Sequence, residues 1–166
     1  MYDELKALLA TLDGVQQDRR FHPEGDALYH SLQVFECALR DTDDWQLIAA
    51  ALLHDVGKSL DFKEHADLGA DLLEPWLPAR VTWLVRHHLD LLRHPKATRQ
   101  RLRGTPQLVD LERLRRWDLA GRETSVWVPQ PEHALDILMN MMTHSDHSGW
   151  SYTRANSIQI DHEEAH

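Results

Sequence analysis

Apolar residues recur at helical spacing along almost the whole chain. No stretch shows the strict alternation of apolar and polar residues that predicts a half-buried strand, so the pattern predicts an all-α fold. Asp26 is a suitable N-cap for the second helix, and Pro78 and Pro131 stand where later helices would begin. The predicted helices cover about 3–12, 26–40, 45–55, 63–73, 79–92, 107–120 and 133–142.

The predicted helix over 45–55 has no polar face, because every residue from Leu47 to Leu53 is apolar. Such a helix is buried on all sides, and we expect it to form the centre of the fold and to end at Gly57. Gly121 is expected to end the helix over 107–120 in the same way. No repeat or long linker divides the chain, so residues 1–156 are interpreted as one domain and 157–166 as a polar C-terminal tail.

Residues that bind metals interrupt the apolar stripes of four different predicted helices, in a chain with 12 histidines. These residues are His30, His65, His88 and Asp118, and each is in line with apolar residues of its own helix. The doublet His54-Asp55 follows at the end of the central helix. A single histidine in an apolar stripe is more often a hydrogen-bonded core residue, but this whole set predicts a metal site.

Asp55 is the residue of this set that is hardest to explain as purely structural. It follows seven apolar residues and is therefore expected to be buried, where an unpaired carboxylate is costly. It also lies at the negative end of the helix dipole, which disfavours an anion. A divalent metal would offset both penalties, and histidine with carboxylate suits Zn, Mn, Fe, Co or Ni. Without metal, the sequence alone predicts that this carboxylate destabilises the protein.

The other histidines have weaker patterns. His87 faces away from the stripe that holds His88, and we interpret it as at most a supporting or additional ligand. The histidines interpreted as surface or loop residues are His22, His94 and His133. A group with ligand spacing but outside any strong apolar pattern consists of His144, Asp146 and His147.

Charge and composition narrow the function classes. Lys and Arg number 18 and Asp and Glu 27, so the net charge of −9 argues against a bulk nucleic-acid binder or a protein held on a membrane surface. The longest apolar run is too short for a membrane span, and the acidic N-terminus is unlike a signal peptide. The only cysteine, Cys37, excludes an intramolecular disulfide and fits a cytoplasmic protein.

These residues resemble the metal-binding set of the HD-domain superfamily. The resemblance rests on His30, the segment Ala-Leu-Leu-His-Asp-Val-Gly-Lys over 51–58, and then His65, His88 and Asp118. It covers roughly residues 21–137 and implies a compact bundle of six to eight helices around a metal site. The segment His-Pro-Glu-Gly-Asp over 22–26 is similar to the HD domain attached to bacterial CCA-adding enzymes, which acts as a phosphohydrolase.

The resemblance to members that bind two metals implies roles for individual residues. One divalent transition metal would be held by His30, His54, Asp55 and Asp118. Asp55 would bridge to a second ion held by His65 and His88. A metal-activated water would attack the phosphorus of a phosphate ester, with Asp55 and Lys58 as the catalytic residues.

In this scheme Lys58 would bind the phosphate, although the helix dipole alone would also favour a solvated lysine there. Arg86 and Arg122 are weaker candidates of the same kind. The expected substrate is small, phosphorylated and nucleotide-like, and loops such as 93–106 would decide its identity. The six tryptophans would allow an apolar face for a homodimer.

Two alternatives stay open. Leu114 to Asp118 and the spacing of His65 and His88 also resemble the diiron oxygenases of the superfamily, which cleave phosphonates or myo-inositol with oxygen. The lysine that the phosphonate enzymes use to bind substrate would fall at Leu92 here. The second alternative is a regulatory HD module without catalytic activity.

Overall fold

The computed structural model describes the backbone of residues 1–155 and the side chains of residues 1–145. Over this range it contains no β-strand, only an isolated bridge between Gln16 and Asp26, so the all-α prediction is confirmed. No helix in the same range is both long and apolar enough to cross a membrane. The helices are α1 (Tyr2–Ala10), α2 (Ala27–Asp41), α3 (Trp45–Leu53), α4 (His65–Leu73), α5 (Ala79–His87), α6 (Asp90–Arg93), α7 (Pro95–Arg101), α8 (Pro106–Ala120) and α9 (Pro131–Ala155), with a 3₁₀ turn over Val56–Ser59.

Helix α3 lies at the centre of the fold, as its apolar sequence predicts. Every residue from Leu47 to Leu53 is buried, and α2, α5, α8 and α9 all pack against this helix. Phe35 of α2 is among the largest fully buried side chains. Because α2 and α8 and the segments that follow α3 and α5 carry candidate ligands, packing around α3 directs those ligands toward one place.

Three of these helices have a polar N-cap residue. Its side chain accepts a hydrogen bond from a backbone N–H group that has no partner inside the helix. The predicted N-cap Asp26 accepts a hydrogen bond from the backbone nitrogen of Tyr29 at 2.9 Å. Asp44 caps α3 and Thr105 caps α8 in the same way. Pro106 then occupies the first turn of α8, where a missing N–H costs nothing.

Gly121 ends α8 as its C-cap, which confirms the predicted stop, but Gly57 lies inside the 3₁₀ turn and does not end α3, so that prediction is wrong. Neither glycine has a left-handed conformation. Both glycines instead allow two segments to approach closely. A Cβ at Gly57 would lie 2.2 Å from the carbonyl oxygen of His65, and one at Gly121 would lie 2.6 Å from Cγ2 of Val34. Each contact holds the segment of one candidate ligand against another.

Three predicted boundaries differ from the structure. The helix predicted over 79–92 stops at His87 and resumes as the single turn α6, and the predicted loop over 93–106 contains α7. Pro95 occupies the first turn of α7. Helix α9 continues to Ala155, beyond the predicted end at Met142. Residues 157–166 lie outside the described residues, as do the side chains of Asp146 and His147.

Candidate metal centre

All six predicted ligands lie in one buried cluster. His30 comes from the middle of α2, His54 and Asp55 follow α3, and His65 begins α4. His88 follows the last residue of α5, and Asp118 lies near the end of α8. None of the six is more than 7% exposed. Burial of six polar side chains is costly unless they are hydrogen-bonded, paired with opposite charges or bound to a metal, so the cluster indicates a binding site.

The carboxylate of Asp55 divides this cluster into two groups. Its Oδ2 lies 3.3 Å from Nε2 of His54 and 3.9 Å from Nε2 of His30. Its Oδ1 lies 3.2 Å from Nε2 of His65 and 3.6 Å from Nε2 of His88. Each group therefore offers two imidazole nitrogens and one oxygen of the same carboxylate. This is the geometry of a carboxylate that can bridge two neighbouring ions.

Asp118 extends the first group. Its Oδ1 lies 3.1 Å from Nε2 of His30, on the same side of the cluster. Three candidate ligand atoms of each group lie within 4.8 Å of one another, for His30, His54 and Asp55 and for Asp55, His65 and His88. Histidine nitrogen with carboxylate oxygen is a donor set that suits divalent transition metals.

The four histidines share one hydrogen-bond pattern, in which Nδ1 faces a backbone carbonyl oxygen. The distances are 2.8 Å from His30 to Gly121, 2.9 Å from His54 to Ala51, 2.8 Å from His65 to Phe62 and 2.6 Å from His88 to Val85. A carbonyl only accepts hydrogen bonds, so each Nδ1 carries the proton and donates it. Nε2 is then the nitrogen available to a metal.

Two of these Nε2 atoms are buried without a hydrogen-bond partner among the described residues, namely those of His30 and His54. Buried polar atoms in folded proteins are nearly always hydrogen-bonded, so such an exception calls for a missing ligand. Both atoms point toward Asp55, where a cation would satisfy them together. The residues present therefore fit a metal site.

The charges in the cluster are arranged for cation binding. Burial would raise the pKa of Asp118, but the close contact with His30 and the neighbouring His54 and Arg122 outweigh burial and hold the pKa well below its usual range. Burial would also raise the pKa of Asp55, but the neighbouring His54 and Lys58 outweigh burial and lower that pKa. Both aspartates are thus anionic at neutral pH, as metal ligands must be.

Two histidines respond to this environment in opposite directions. Burial would lower the pKa of His30, but its contacts with Asp118 and Glu24 raise it to about 9. Burial and the neighbouring His54 lower the pKa of His88 to about 3. In the metal-free protein His30 therefore holds a proton that a metal must displace, whereas His88 is already neutral.

Glu24 and His22 lie beside the site, although no pattern in the sequence assigns them a role there. Oε1 of Glu24 lies 2.8 Å from Nδ1 of His30 and 2.9 Å from Nδ1 of His22. His22, interpreted as a surface or loop residue, does lie on a loop, but its ring is mostly buried and lines the pocket. Both residues are on a loop, where no helical spacing points inward. The segment His-Pro-Glu-Gly-Asp that contains them is the one signal that could have identified them.

Lys58 is buried against Asp55 instead of being solvated. Its Nζ lies 2.6 Å from Oδ2 of Asp55, and it also donates a hydrogen bond to Oε1 of Gln17. Only 9% of Lys58 is exposed. The alternative of a solvated lysine at a helix end is therefore wrong, and the ammonium group lies directly beside the candidate metal ligands.

Two arginines contact Asp118 from the pocket side. Nη1 of Arg115 lies 2.6 Å from its Oδ2, and Nη2 of Arg122 lies 3.2 Å from its Oδ1. Arg122 is a weaker candidate from the sequence, which assigns no role to Arg115. Both line the pocket.

Two other candidates do not belong to the site. The guanidinium of Arg86 pairs with Asp67 and Asp71 on the surface of α4. His87 contacts Asp90 and stacks against Trp83. Neither residue lines the pocket, so the expectations of a phosphate ligand at Arg86 and an additional ligand at His87 are wrong.

A pocket of about 220 Å³ opens above the cluster. Five of the six predicted ligands line it, while His30 lies behind them. Lys58, Arg115 and Arg122 add three cationic groups to the same wall. The pocket thus places candidate metal ligands beside cationic groups that could bind an anion such as a phosphate.

Comparisons with known proteins agree with this geometry. The model of the HD domain matches residues 27–120, which is more than half of the chain. A segment of 47 residues is 51% identical to the multifunctional CCA protein of Nitrosococcus oceani, and it covers 28% of this chain but only 12% of that protein. The matched family segment contains all six buried ligands. The chain belongs to the HD-domain family.

Proposed function

We propose that this protein is a metal-dependent phosphohydrolase that acts on a small phosphate monoester, with nucleotides as the leading candidates. The observation that carries the proposal is the position of Asp55, whose two oxygens face two separate pairs of histidines. HD domains are generally metal-dependent phosphohydrolases. The relative in Nitrosococcus oceani matches over a short segment, so it supports the HD module and not the activity of that whole protein.

The proposed ligands of one ion are His30, His54, Asp55 and Asp118, and those of the other are Asp55, His65 and His88. When bound, divalent ions in such a site supply Lewis-acid stabilisation of phosphoryl oxygens and lower the pKa of a water ligand toward 7. The hydrogen bonds from the four histidine Nδ1 atoms fix the imidazole rings with Nε2 inward, so little reorganisation is needed on binding.

The chain itself supplies the groups that hold the phosphate. The Nζ of Lys58 is beside Asp55, and a substrate oxygen that enters the cluster would meet this ammonium group. Arg115 and Arg122 carry planar guanidinium groups that can donate two hydrogen bonds to one phosphate. Asp118 orients both arginines across the pocket wall. These cations neutralise a dianion locally, although the net charge of the chain is −9.

Metal analysis and turnover test the proposal together. Protein purified without chelator or a histidine tag is expected to contain a divalent transition metal. It should release inorganic phosphate from phosphate monoesters in the presence of Mn, Co, Ni or Fe, with and without oxygen. Activity that requires oxygen would instead favour the diiron oxygenase. Bound metal without any turnover would favour a regulatory module.

A further inference from the structure

Two apolar side chains in the pocket remain largely exposed. Phe62 is 51% exposed and Leu92 is 53% exposed, and both line the same pocket as His54 and Asp55. The half-buried Leu89 lines it too. We call Phe62, Leu89 and Leu92 the apolar lip. Exposed large apolar side chains that adjoin a polar cluster are typical of a ligand site and are not needed for the core.

Hydrogen bonds hold the two segments of the apolar lip in place. Nη2 of Arg93, at the end of α6, donates to the carbonyl oxygen of Lys63 at 3.1 Å, so α6 is attached to the segment that carries Phe62. The carbonyl oxygen of Phe62 in turn accepts the hydrogen bond from Nδ1 of His65 at 2.8 Å. The backbone of Phe62 is therefore held beside a candidate metal ligand, so a substrate group that contacts the Phe62 ring would lie close to the metal centre.

The volume of the pocket indicates that the phosphate and the rest of the substrate contact different groups of lining residues. Pockets that enclose a drug-sized ligand measure roughly 300 to 1,000 Å³, so a volume of about 220 Å³ accommodates the phosphoryl group but does not enclose a whole nucleotide. The cations Lys58, Arg115 and Arg122 face that group. The leaving group must then extend along the apolar lip.

We propose that Phe62 and Leu92 bind an aromatic ring of the leaving group, as in a nucleobase. This inference rests on the proposed phosphohydrolase function and specifies its substrate class. The flat face of Phe62 can stack with an aromatic ring, and Leu92 supplies an apolar edge contact. Sugar and glycerol phosphates lack this ring and gain nothing from the apolar lip.

A matched pair of compounds tests the proposal, because a nucleoside 5′-monophosphate and ribose 5-phosphate share the same ester bond and differ only in the base. The wild-type protein should show a kcat/KM about tenfold higher for the nucleotide, in the range of base stacking on an aromatic side chain. Phe62→Ala and Leu92→Ala should each reduce that ratio toward one, through KM and not kcat. Leu60→Ala is the control, since Leu60 is 63% exposed but does not line the pocket. Phe62→Tyr should retain the preference.

Binding of the non-hydrolysable methylenephosphonate analogues of the same two compounds separates this proposal from the proposed function. Tighter binding of the base-containing analogue that is lost in Phe62→Ala supports the apolar lip even if no compound is hydrolysed. Hydrolysis or binding with equal preference for both compounds overturns the apolar lip and leaves the phosphohydrolase standing. Binding of neither analogue overturns the apolar lip, whereas the phosphohydrolase function is decided separately by the release of phosphate from monoesters.

Discussion

Replacement of Asp55 with asparagine removes the carboxylate that contacts both histidine groups while keeping its size. With metal, the expected result is loss of turnover and of most metal affinity, because each proposed ion loses an anionic ligand. The metal-free protein is more informative. The sequence alone predicts that this carboxylate is destabilising there, but the structure places Nζ of Lys58 only 2.6 Å away.

The magnitude follows from this pair. Unit charges at 2.6 Å attract with about 6 kcal/mol at an effective dielectric constant of about 20, before the cost of burial is subtracted. Removal of one partner of a buried pair costs about 3 to 5 kcal/mol, because the other charge stays buried. In the presence of chelator, Asp55→Asn should therefore lower the free energy of unfolding by about 3 to 5 kcal/mol. The melting temperature should fall by about 2 to 4 °C for each kcal/mol.

Thermal melts in chelator and in excess Mn measure both effects. Metal at about 100 times its Kd should stabilise the wild type by about 2.7 kcal/mol and the variant hardly at all. The double variant Asp55→Asn/Lys58→Met serves as the control, because it also removes the orphaned ammonium. It should regain most of the stability in chelator without regaining the response to metal. Equal stabilisation of Asp55→Asn and the wild type by Mn would refute the role of Asp55 as a ligand. An unchanged melt of Asp55→Asn in chelator would refute the contribution of the pair.

Three further predictions concern the surroundings of the site. Glu24→Gln should weaken metal binding about 10-fold to 100-fold, because the His30 ring loses its contact with the Glu24 carboxylate. An unchanged Kd by calorimetry would show that the hydrogen bond to the Gly121 carbonyl is enough to orient the ring. Metal affinity should rise close to tenfold per pH unit up to about pH 9, because His30 must lose its proton to bind the metal. A metal affinity that does not change between pH 6.5 and 8.5 would contradict this prediction. Gly57→Ala should lower the free energy of unfolding, measured with denaturant, by about 1 to 3 kcal/mol or more, because its Cβ would lie 2.2 Å from the carbonyl oxygen of His65. A loss below about 0.5 kcal/mol would show that α4 can move away.

The spacing of residues along the chain determined the helices and most of the candidate ligands. A histidine or aspartate in an apolar stripe, such as His30 or Asp118, must point into the core whatever the tertiary arrangement, because helical periodicity fixes its direction. The all-apolar sequence of α3 likewise fixed its central position and the burial of the residues that follow it. These inferences needed only local geometry.

Tertiary structure decided what lies next to these ligands. His22 and Glu24 are on a loop, so no periodicity indicates that they reach His30, and the pairing of Lys58 with Asp55 joins charges that the sequence alone does not assign to one another. Gly57 lies against the carbonyl oxygen of His65 at the start of α4, and Gly121, besides ending α8, lies against Val34 of α2. Such contacts depend on which surfaces meet in three dimensions. Helical periodicity therefore predicts which residues face the core, whereas the electrostatics of the site and the shape of the pocket depend on how the helices pack.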